Sequence, residues 1–260
     1  MSSAQGDDPT SDDARRRDEE AFLESYRNDA YARPAVSVDL TIFTLTDGAL
    51  QVLLIQRRGH PFRGRWALPG GFLRVANTRE NQGEELDEAA SRELAEETGL
   101  AQGSVFLEQL YTFGGVFRDP RMRVITVAYY ALIPPELAAT IHAGSDARVA
   151  AWHSVAEAVR LDLAFDHDKI LAVALERLRG KLDYSEIAFE LVPRVFTTAE
   201  LRAVHEIVEG RPLDPGNFRR RVNRLIARGL LVATGEQRAT GRRPAQLYRF
   251  ARRKTAEPLS

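Results

Sequence analysis

The chain contains no cysteine among its 260 residues. Disulfide bonds and cysteine-ligated metal sites are therefore excluded, and the composition fits a reducing compartment. No run of 18 apolar residues is present, and the first residues lack the apolar segment of a signal peptide. We therefore expect a cytoplasmic protein that has no membrane partner.

Charge is distributed unevenly along the chain, although the formal net charge is only −1. Residues 1–180 carry 20 Lys and Arg against 28 Asp and Glu, which gives a net charge of −8. Residues 181–260 carry 16 basic and nine acidic side chains, which gives +7. A change of sign between the two halves indicates two domains, and the basic second half indicates an anionic partner.

Composition and apolar patterning divide the chain into three parts. Residues 1–20 are polar and acidic, and we expect them to form a disordered tail because they can bury too little apolar surface. Residues 21–180 are expected to form one domain, and residues 181–252 a second. Apolar residues make up 44% of the chain, which is ordinary for globular domains with buried cores.

The first domain shows strand patterns on both sides of one long helix. Two apolar runs flank Asp47 and Gly48, a pair that favours a β-hairpin turn. Residues 83–100 have a helix-forming composition, and Gly99 stands where a left-handed helix cap is expected. Three later strand patterns and an amphipathic helix that begins at Asp166 complete a mixed α+β domain.

The second domain has the order of elements that is typical of a winged helix-turn-helix. After a short helical segment, a capping box of Thr197 and Glu200 predicts a helix. Asp214 as cap and Pro215 at the first helical position predict the next helix. Two short strand patterns, separated by a polar loop, follow it. The fold class predicted for the whole chain is therefore α+β.

Three glutamates crowd into the middle of the predicted 83–100 helix. On a helical wheel, Leu86 and Ala90 form a stripe that faces the core. Glu93 and Glu97 continue this stripe, and Glu96 lies close beside them. Glutamates on a helix usually form a solvated face, but like charges that face inward repel one another and need a compensating cation. Clustered carboxylate oxygens suit hard divalent ions such as Mg²⁺ or Mn²⁺.

The same segment resembles the signature of a known family. Glu84, seven further residues and then RELAEETGL, from Arg92 to Leu100, match the Nudix box G-x5-E-x7-R-E-U-x-E-E-x-G-U, where U is aliphatic. The preceding WALPGGF is also typical of this family. One departure is plain, because 12 residues rather than five separate Gly71 from Glu84. The resemblance implies a Nudix sandwich, a mixed sheet with helices on both sides.

The Nudix resemblance also implies a site and an activity. Glu93 and Glu97 would bind Mg²⁺ or Mn²⁺ together with the main-chain carbonyl of Gly71, and Glu96 would hold a metal ion or activate water. Arg92 would orient the glutamates, so Arg92, Glu93 and Glu96 are the implied catalytic residues. The substrate would be a nucleoside diphosphate linked to another group, because a metal ion neutralises the diphosphate.

More of the chain resembles one group within this family, the Nudix-related transcriptional regulators, in which a Nudix domain is fused to a winged helix. The resemblance covers roughly residues 22–250 and includes LYTFGGVFRDPRMR, LAFDHDKIL and GRRPAQLYRF. It implies a homodimer that binds palindromic duplex DNA, responds to ADP-ribose or a related nucleotide, and represses genes of NAD metabolism. The alternative is an active Mg²⁺-dependent ADP-ribose pyrophosphohydrolase with an accessory second domain.

Several other residues are candidates for contacts with the nucleotide. They are Arg57, Arg58, Phe62, Tyr111 and Arg118. Aromatic residues at such positions are more often part of the core, which is the alternative for Phe62 and Tyr111. Asp119 and Glu108 are candidates for a further catalytic acid, whereas His167 is expected to make structural hydrogen bonds.

The helix that begins at Pro215 carries most of the residues expected to contact DNA. Between Arg211 and Lys254 there are 13 basic and only two acidic residues. Arginine binds phosphates and guanine edges, and a basic helix in this order of elements favours DNA over a solvated surface or an acidic protein partner. The expected DNA contacts are Arg219, Arg220, Arg221, Asn223 and Arg224 on the helix, and Arg242 and Arg243 on the wing.

Overall fold

The structure is a computed structural model of the chain. It describes residues 9–27, 31–76, 78, 82–101, 103, 105–141, 149–184, 187–239 and 244–251. The predicted wing residues Arg242 and Arg243 lie outside these ranges. The chain forms two compact units, Met1–Pro34 and Ala35–Ser260. No helix of the described residues is both long and apolar enough to cross a membrane.

The longer strands and helices from residue 35 onward follow one another in the order that the sequence predicts. The helices are α1 (Pro9–Ser25), α2 (Leu86–Thr98), α3 (Pro135–Ala138), α4 (Val155–Ala158), α5 (His167–Tyr184), α6 (Thr198–Glu209) and α7 (Pro215–Ala227), with a 3-10 helix at Ile187–Leu191. The strands are β1 (Ala35–Thr46), β2 (Ala49–Gln56), β3 (Trp66–Ala67), β4 (Gly70–Phe72), β5 (Phe106–Phe113), β6 (Val124–Leu132), β7 (Ala150–Ser154), β8 (Phe196–Thr197), β9 (Leu231–Arg238) and β10 (Ala245–Phe250). The short elements β3, β4, α3 and α4 were not predicted.

The first unit corrects the prediction of a disordered tail over residues 1–20. Residues 9–25 form helix α1, whose side chains are exposed from Asp12 onward. Alanine, arginine and glutamate favour helix without any buried face, so polar composition here excludes a core but not a helix. The second unit begins at Ala35, with strand β1, and not at residue 21 as predicted.

Seven described strands form one mixed sheet: five follow the order β3-β2-β1-β6-β5, β4 pairs with β1, and β7 pairs with β2. The predicted hairpin joins β1 to β2, and Asp47 and Gly48 both take the left-handed conformation that a tight hairpin turn needs. Strand β1 runs parallel to β6 on one side. On its other side, β1 pairs with β2 at Phe43–Thr46 but with β4 at Ser37–Asp39. The sheet therefore splits beside β1, and a cleft opens between the β4 wall and the end of β2.

Both faces of the sheet are covered, which explains why β1 is buried without interruption from Ser37 to Thr44. Helix α2 covers one face, where Ala90 and Leu94 pack with Leu40 and Ile42. Helix α5 covers the other face, where residues such as Ile170 join a core with Phe43, Tyr130 and Leu132. This arrangement of a mixed sheet between helices is the sandwich that the sequence predicts.

The winged helix continues directly from the sandwich. Helix α5 runs unbroken to Tyr184, so the predicted boundary at residue 180 falls inside a helix. Strand β8 pairs with β10, and β10 pairs with β9 from Phe250 to Ala245. This pairing extends β9 to Arg238, beyond the short strand predicted, because each added residue of β9 finds a partner in β10.

The insertion between Gly71 and Glu84 leaves the sandwich and returns to it at one point. The main-chain N–H of Glu84 donates to the carbonyl of Arg74 at 3.0 Å, and the Arg74 N–H donates to the Glu84 carboxylate at 2.8 Å. Val75 and Gly83 form an antiparallel bridge just beyond. Because its two ends meet, the insertion lengthens the loop without moving Glu84 away from α2.

Candidate functional site

Helix α2 positions the glutamates on its inner face. The helix starts after a capping box formed by Glu85 and Glu88, and it ends at Gly99 in the predicted left-handed conformation. Glu93 and Glu97 are only 6% and 8% exposed, beside Ala90 on the same face. The inward stripe predicted from the helical wheel is therefore confirmed for these two carboxylates.

The main chain at Gly71 lies directly against the first of these carboxylates. A Cβ atom built on Gly71 would stand 2.2 Å from Oε1 of Glu93, so any larger residue here would displace the carboxylate of Glu93. Glycine lets strand β4 approach this side chain closely. The contact brings Glu93 and Gly71, two of the three predicted metal ligands, to one place.

Arg92 holds the start of α2 to the returning end of the insertion. Its guanidinium donates from Nη2 and Nε to the two oxygens of Glu84, at 2.6 and 2.9 Å, and from Nη1 to Oε1 of Glu93 at 2.6 Å. The side chain of Arg92 is only 12% exposed. Its hydrogen bonds to Glu84 lower the pKa of that carboxyl to about 2, and they raise the pKa of Arg92 itself. Arg92 therefore fixes the orientation of Glu93, as the resemblance implies.

Glu96 lies beside the buried pair, since it shares Nη1 of Arg92 with Glu93, but it is more exposed than either buried glutamate. Its side chain is 49% exposed and forms an ion pair with Arg74, at 2.8 Å between Nη2 and Oε1. Arg92 approaches it only to 3.4 Å. Glu96 stands at the edge of the inward stripe, where a cation from the insertion draws its carboxylate toward solvent.

The glutamate face fits a hard divalent ion in its donor chemistry. Glu93 and Glu97 supply carboxylate oxygens, and the main chain at Gly71 lies against the same site. Within the described residues, no three His, Asp or Glu side chains come close enough to bind a metal by themselves. Two carboxylates and a carbonyl suit Mg²⁺, which keeps several positions for water and phosphate oxygens.

The cleft beside β1 has a volume of about 360 Å³. The Gly70–Phe72 segment of β4 forms the wall next to Glu93, and the segment from Ile55 to Gly59 forms the wall at the end of β2. Between these walls lie Asp39, Arg118, Asp119, Arg121, Phe165 and His167. One wall of the cleft thus lies next to Glu93 through Gly71, and the other is a cationic wall that contains the predicted residues Arg57 and Arg58.

Arg118 lines the cleft, but its charge is already engaged. Its Nη2 donates to Asp39 at 3.0 Å and to Asp166 at 2.8 Å, and its Nε also donates to Asp166. The side chain is only 4% exposed. A buried arginine held by two carboxylates fixes the cleft floor, and a direct contact of Arg118 with the nucleotide stays a prediction.

His167 follows Asp166 and makes structural hydrogen bonds, as expected. Its Nδ1 accepts a hydrogen bond from the main-chain N–H of Leu68 at 2.8 Å. Burial lowers the pKa of His167, which keeps the ring neutral, and the ring lies 3.7 Å from a carboxylate oxygen of Asp39. The residue ties the start of α5 to the loop before β4.

Arg121 and Phe165 also line the cleft, although they were not predicted to do so. Arg121 donates to the Asp119 carboxylate at 2.7 Å, and its guanidinium lies 5.6 Å from the ring of Phe72 and 5.9 Å from that of Phe165. The sequence RDPR, residues 118–121, could have indicated Arg121, since it places a basic residue two positions after Asp119. Burial opposes ionisation of Asp119, but hydrogen bonds from Arg121 lower its pKa overall. Asp119 is therefore a charged acceptor and not a protonated acid.

Three other candidates lie outside the cleft lining. Phe62 packs edge-on against Phe165, with ring centroids 4.9 Å apart, and belongs to a small apolar cluster. Tyr111 is 59% exposed on the edge strand β5. Glu108, a candidate catalytic acid, forms an ion pair with Lys181 of α5 at 2.6 Å. The core alternative therefore applies to Phe62, and Glu108 joins β5 to α5.

In the winged helix, α7 presents most of its predicted DNA-binding residues to solvent. Asp214 caps the helix by accepting from the Asn217 N–H at 2.8 Å, and Phe218 and Val222 face the core. The exposed side chains are Arg219, Arg220, Asn223 and Arg224. Arg219 and Asn223 also line a groove against the start of α6.

Arg221 departs from this face. Its Nη2 donates to the main-chain carbonyl of Leu182, near the end of α5, and its side chain is half-buried. One turn of α7 places residue 221 toward α5 while its neighbours face outward, so Arg221 is a contact within the protein and not an exposed DNA ligand. Arg179 of α5 adds a second bond, from Nε to the Val208 carbonyl at 3.0 Å.

The comparisons with known proteins cover both parts of the chain. Residues 35–174 match the family model of the NUDIX domain, and residues 188–250 match that of the NrtR DNA-binding winged helix domain. Over 149 residues, the chain is 37% identical to the ADP-ribose pyrophosphatase of Methanocaldococcus jannaschii, an alignment that covers 57% of this chain and 76% of that protein. Nudix hydrolases generally use a divalent metal ion.

Two relatives span both domains. The chain is 40% identical over 233 residues to the ADPR responsive transcriptional repressor NtrR of Acinetobacter baylyi, which covers 90% of this chain and 88% of that protein. The crystal structure of Shewanella oneidensis NrtR complexed with a 27mer DNA matches with a TM-score of 0.71 and 38% identity, over 83% of this chain and 93% of that chain. These matches confirm the predicted fold class and family. The chain belongs to the Nudix-related transcriptional regulators, in which a NUDIX domain precedes an NrtR-type DNA-binding winged helix.

Proposed function

We propose that the protein is a transcriptional repressor in which a nucleotide of the ADP-ribose type, bound in the cleft, controls DNA binding by the winged helix. The observation that carries this proposal is helix α5. Asp166 and His167 at its start border the cleft, and Leu182 near its end accepts the bond from Arg221 of the DNA-binding helix. A helix fixed at both ends supports communication between the two sites.

The cleft supports an ADP-ribose-type ligand by its two contrasting walls. Next to the β4 wall, Glu93, Glu97 and the Gly71 carbonyl would hold Mg²⁺ or Mn²⁺, and a bound ion would neutralise a diphosphate. Arg57 and Arg58 on the opposite wall add positive charge, and Phe165 adds an aromatic surface. The response of the Acinetobacter repressor to ADPR, stated in its name, supports the same ligand class here.

The DNA partner follows from the exposed face of α7 and from the relatives. Arg219, Arg220 and Arg224 suit phosphates and guanine edges, and Asn223 suits an adenine edge. We infer a homodimer on a palindromic operator, because winged helices commonly read two symmetric half-sites. The regulated genes would be those of NAD metabolism, and the compartment the cytoplasm.

One preparation of the full-length protein tests the proposed function. A palindromic duplex would be selected from a random DNA pool by binding to the protein and then titrated by fluorescence anisotropy, with ADP-ribose and with AMP as control. We expect ADP-ribose, but not AMP, to change the DNA affinity by at least about fivefold, the lower end of ordinary coupling between sites. DNA binding that is the same with and without ADP-ribose would contradict the proposal.

A second candidate function is hydrolysis of ADP-ribose to AMP and ribose 5-phosphate. Every glutamate of the box is present, and the Gly71–Glu93 contact and the Arg92 network hold the buried part of it together. A bound divalent ion would lower the pKa of the attacking water and stabilise charge on the diphosphate. In this chain Arg92 orients Glu93, while Arg74 holds Glu96 near solvent.

The double variant Glu93→Gln with Glu97→Gln tests the metal site for both candidates. We expect Mn²⁺ binding by calorimetry to be lost while the unfolding transition remains cooperative, because amides replace the two anionic ligands at nearly constant volume. Unchanged Mn²⁺ affinity would exclude these ligands. Hydrolysis is measured in parallel as AMP release by the parent and by a Glu96→Gln control. Equal rates in the two proteins would show that the cleft binds the nucleotide without hydrolysing it.

A further inference from the structure

The loop that forms the cationic wall also shapes a second depression. The loop runs from Arg57 to Arg65 and contains four arginines. Three of them, Arg57, Arg58 and Arg63, line a depression of about 370 Å³, and we call these three residues the arginine rim. The cleft and the depression share Gln56, Arg57 and Arg58, so the two spaces are adjacent and these residues border both of them.

The loop is held in a closed shape by its own hydrogen bonds. The Arg57 N–H donates to the Arg65 carbonyl at 2.9 Å, and the Gly64 N–H returns a bond to the Arg57 carbonyl at 2.8 Å. The Gln56 side chain donates to the Gly64 carbonyl at 3.0 Å. The Arg57 guanidinium lies 4.7 Å from the centroid of the Phe165 ring. The rim is therefore built on a fixed backbone, which reduces the entropy lost when a ligand binds.

Two of the three rim arginines, Arg58 and Arg63, lack an acidic partner among the described residues. Arg65 is paired with Asp162 at 2.8 Å. Arg58 and Arg63, by contrast, form no ion pair with any carboxylate of the described residues. The lining of the depression, as far as the structure describes it, contains no acidic side chain. Like charges held together without a counterion favour binding of an anion, and arginine forks suit phosphate oxygens in particular.

We propose that the arginine rim binds a phosphate monoester of the nucleotide in the cleft, in addition to the diphosphate beside the glutamates. The inference rests on the proposed function and narrows its ligand class. A metal ion held by Glu93 and Glu97, next to the β4 wall, would bind the diphosphate, and the rim on the other wall would then be open to a second anionic group. The ligand is then an ADP-ribose-type nucleotide with a further phosphate on one of its riboses, such as the 2′-phosphate of ADP-ribose.

Calorimetry on the full-length protein with Mn²⁺ tests this proposal. ADP-ribose and its 2′-phosphate would be titrated into the parent, into Arg58→Gln with Arg63→Gln, and into a control, Arg160→Gln with Arg249→Gln. The control removes two exposed arginines that lie outside the cleft and the depression. We expect the parent and the control to bind the phosphorylated ligand at least about tenfold more tightly, because charge-assisted hydrogen bonds stabilise it. The rim variant should bind both ligands equally.

The outcomes separate this inference from the proposed function. Binding of ADP-ribose without any preference for its 2′-phosphate would overturn the rim assignment and leave the proposed function intact. A preference that survives in the rim variant would also overturn it. Failure of the parent to bind either ligand would contradict the proposed function itself.

Two further titrations identify the anion that the rim holds. Inorganic phosphate should compete with the 2′-phosphate for the parent and should not weaken ADP-ribose binding. A selected duplex DNA should bind the rim variant as well as it binds the parent. A loss of DNA affinity confined to the rim variant would assign these arginines to the DNA backbone and overturn the proposal.

Discussion

Helices α2 and α7 each have 13 residues and each carries a row of like charges, but they treat those charges in opposite ways. In α2, Glu93 and Glu97 are buried, and Arg92 holds Glu93 at 2.6 Å. In α7, three of the four arginines between residues 219 and 224 are exposed. The buried carboxylates belong to a fixed pocket, whereas the exposed arginines form a surface suited to a polyanion.

The difference shows that burial restricts where a charged side chain and its partner can lie. A buried charge costs several kcal/mol unless it is paired, so the sequence around it must supply the partner at a fixed distance. An exposed charge has no such requirement and can be lost with little effect on stability. The same side chain, arginine, should therefore have opposite roles at Arg118 and at Arg224.

The largest effect is expected for the buried arginine of the cleft. Replacing Arg118 with Leu leaves Asp39 and Asp166 without their cation, and we expect a loss of about 3–5 kcal/mol in the free energy of unfolding. Arg224→Leu, an exposed control, should change it by less than about 0.5 kcal/mol. Urea unfolding followed by tryptophan fluorescence measures both. Equal effects of the two substitutions would contradict the comparison.

For DNA affinity, in contrast to stability, a large effect is expected from the exposed arginines of α7. Replacing Arg219, Arg220 and Arg224 together with Ala should reduce DNA affinity at least about 100-fold, because each lost phosphate or base contact costs about 1–3 kcal/mol. The salt dependence of binding should also become shallower, since fewer counterions are released. Anisotropy titrations at several salt concentrations measure this, with ADP-ribose binding as the control. A variant that binds DNA like the parent would show that α7 is not the recognition helix.

A buried histidine extends the comparison of buried and exposed charged groups to the winged helix. His205 is buried against Phe218, and burial, followed by the nearby charge of Arg221, lowers its pKa to about 4. Because the unfolded chain binds the proton more readily, stability is retained above about pH 6.5 and falls as the pH drops toward 4. At pH 5 this loss amounts to about 2 kcal/mol.

Replacing His205 with Leu should remove that part of the acid sensitivity. Urea unfolding at pH 7 and at pH 5 measures it, and the substitution His60→Gln provides an exposed control that should leave the pH dependence unchanged. If the His205 variant loses as much stability between pH 7 and pH 5 as the parent, the histidine is not the group that titrates.

Periodicity predicted those features that depend on neighbouring residues. The inward stripe of Glu93 and Glu97, the turn at Asp47 and the cap at Asp214 all follow from local geometry, and the structure confirms each of them. Helix α1 is the exception, because polar composition was interpreted as disorder although it equally permits an exposed helix.

Contacts between distant segments could not be predicted in this way. Arg118 meets Asp39 and Asp166 across 79 and 48 residues, and Arg221 meets Leu182 across 39 residues. A helical wheel places Arg221 at the border of the buried stripe of Phe218 and Val222, but it contains no information about α5. The functional roles suggested for such arginines depended on residue type alone, which does not distinguish a buried partner from an exposed ligand.

The smallest effect is expected for the insertion after Gly71. Its ends are joined by the two hydrogen bonds between Arg74 and Glu84, so we expect the position of α2 to depend on these ends. Replacing residues 76–82 with Asn-Gly, which favours a tight hairpin turn, should change the free energy of unfolding by about 1 kcal/mol or less, because closure entropy varies slowly with loop length. Mn²⁺ affinity should stay within about twofold, since Arg92 keeps Glu84 and Glu93. In a control, Glu84→Gln should weaken the Arg92 network and lower stability above pH 5, where the parent carboxylate is ionised. A shortened chain that loses Mn²⁺ binding would show that the insertion itself shapes the glutamate face.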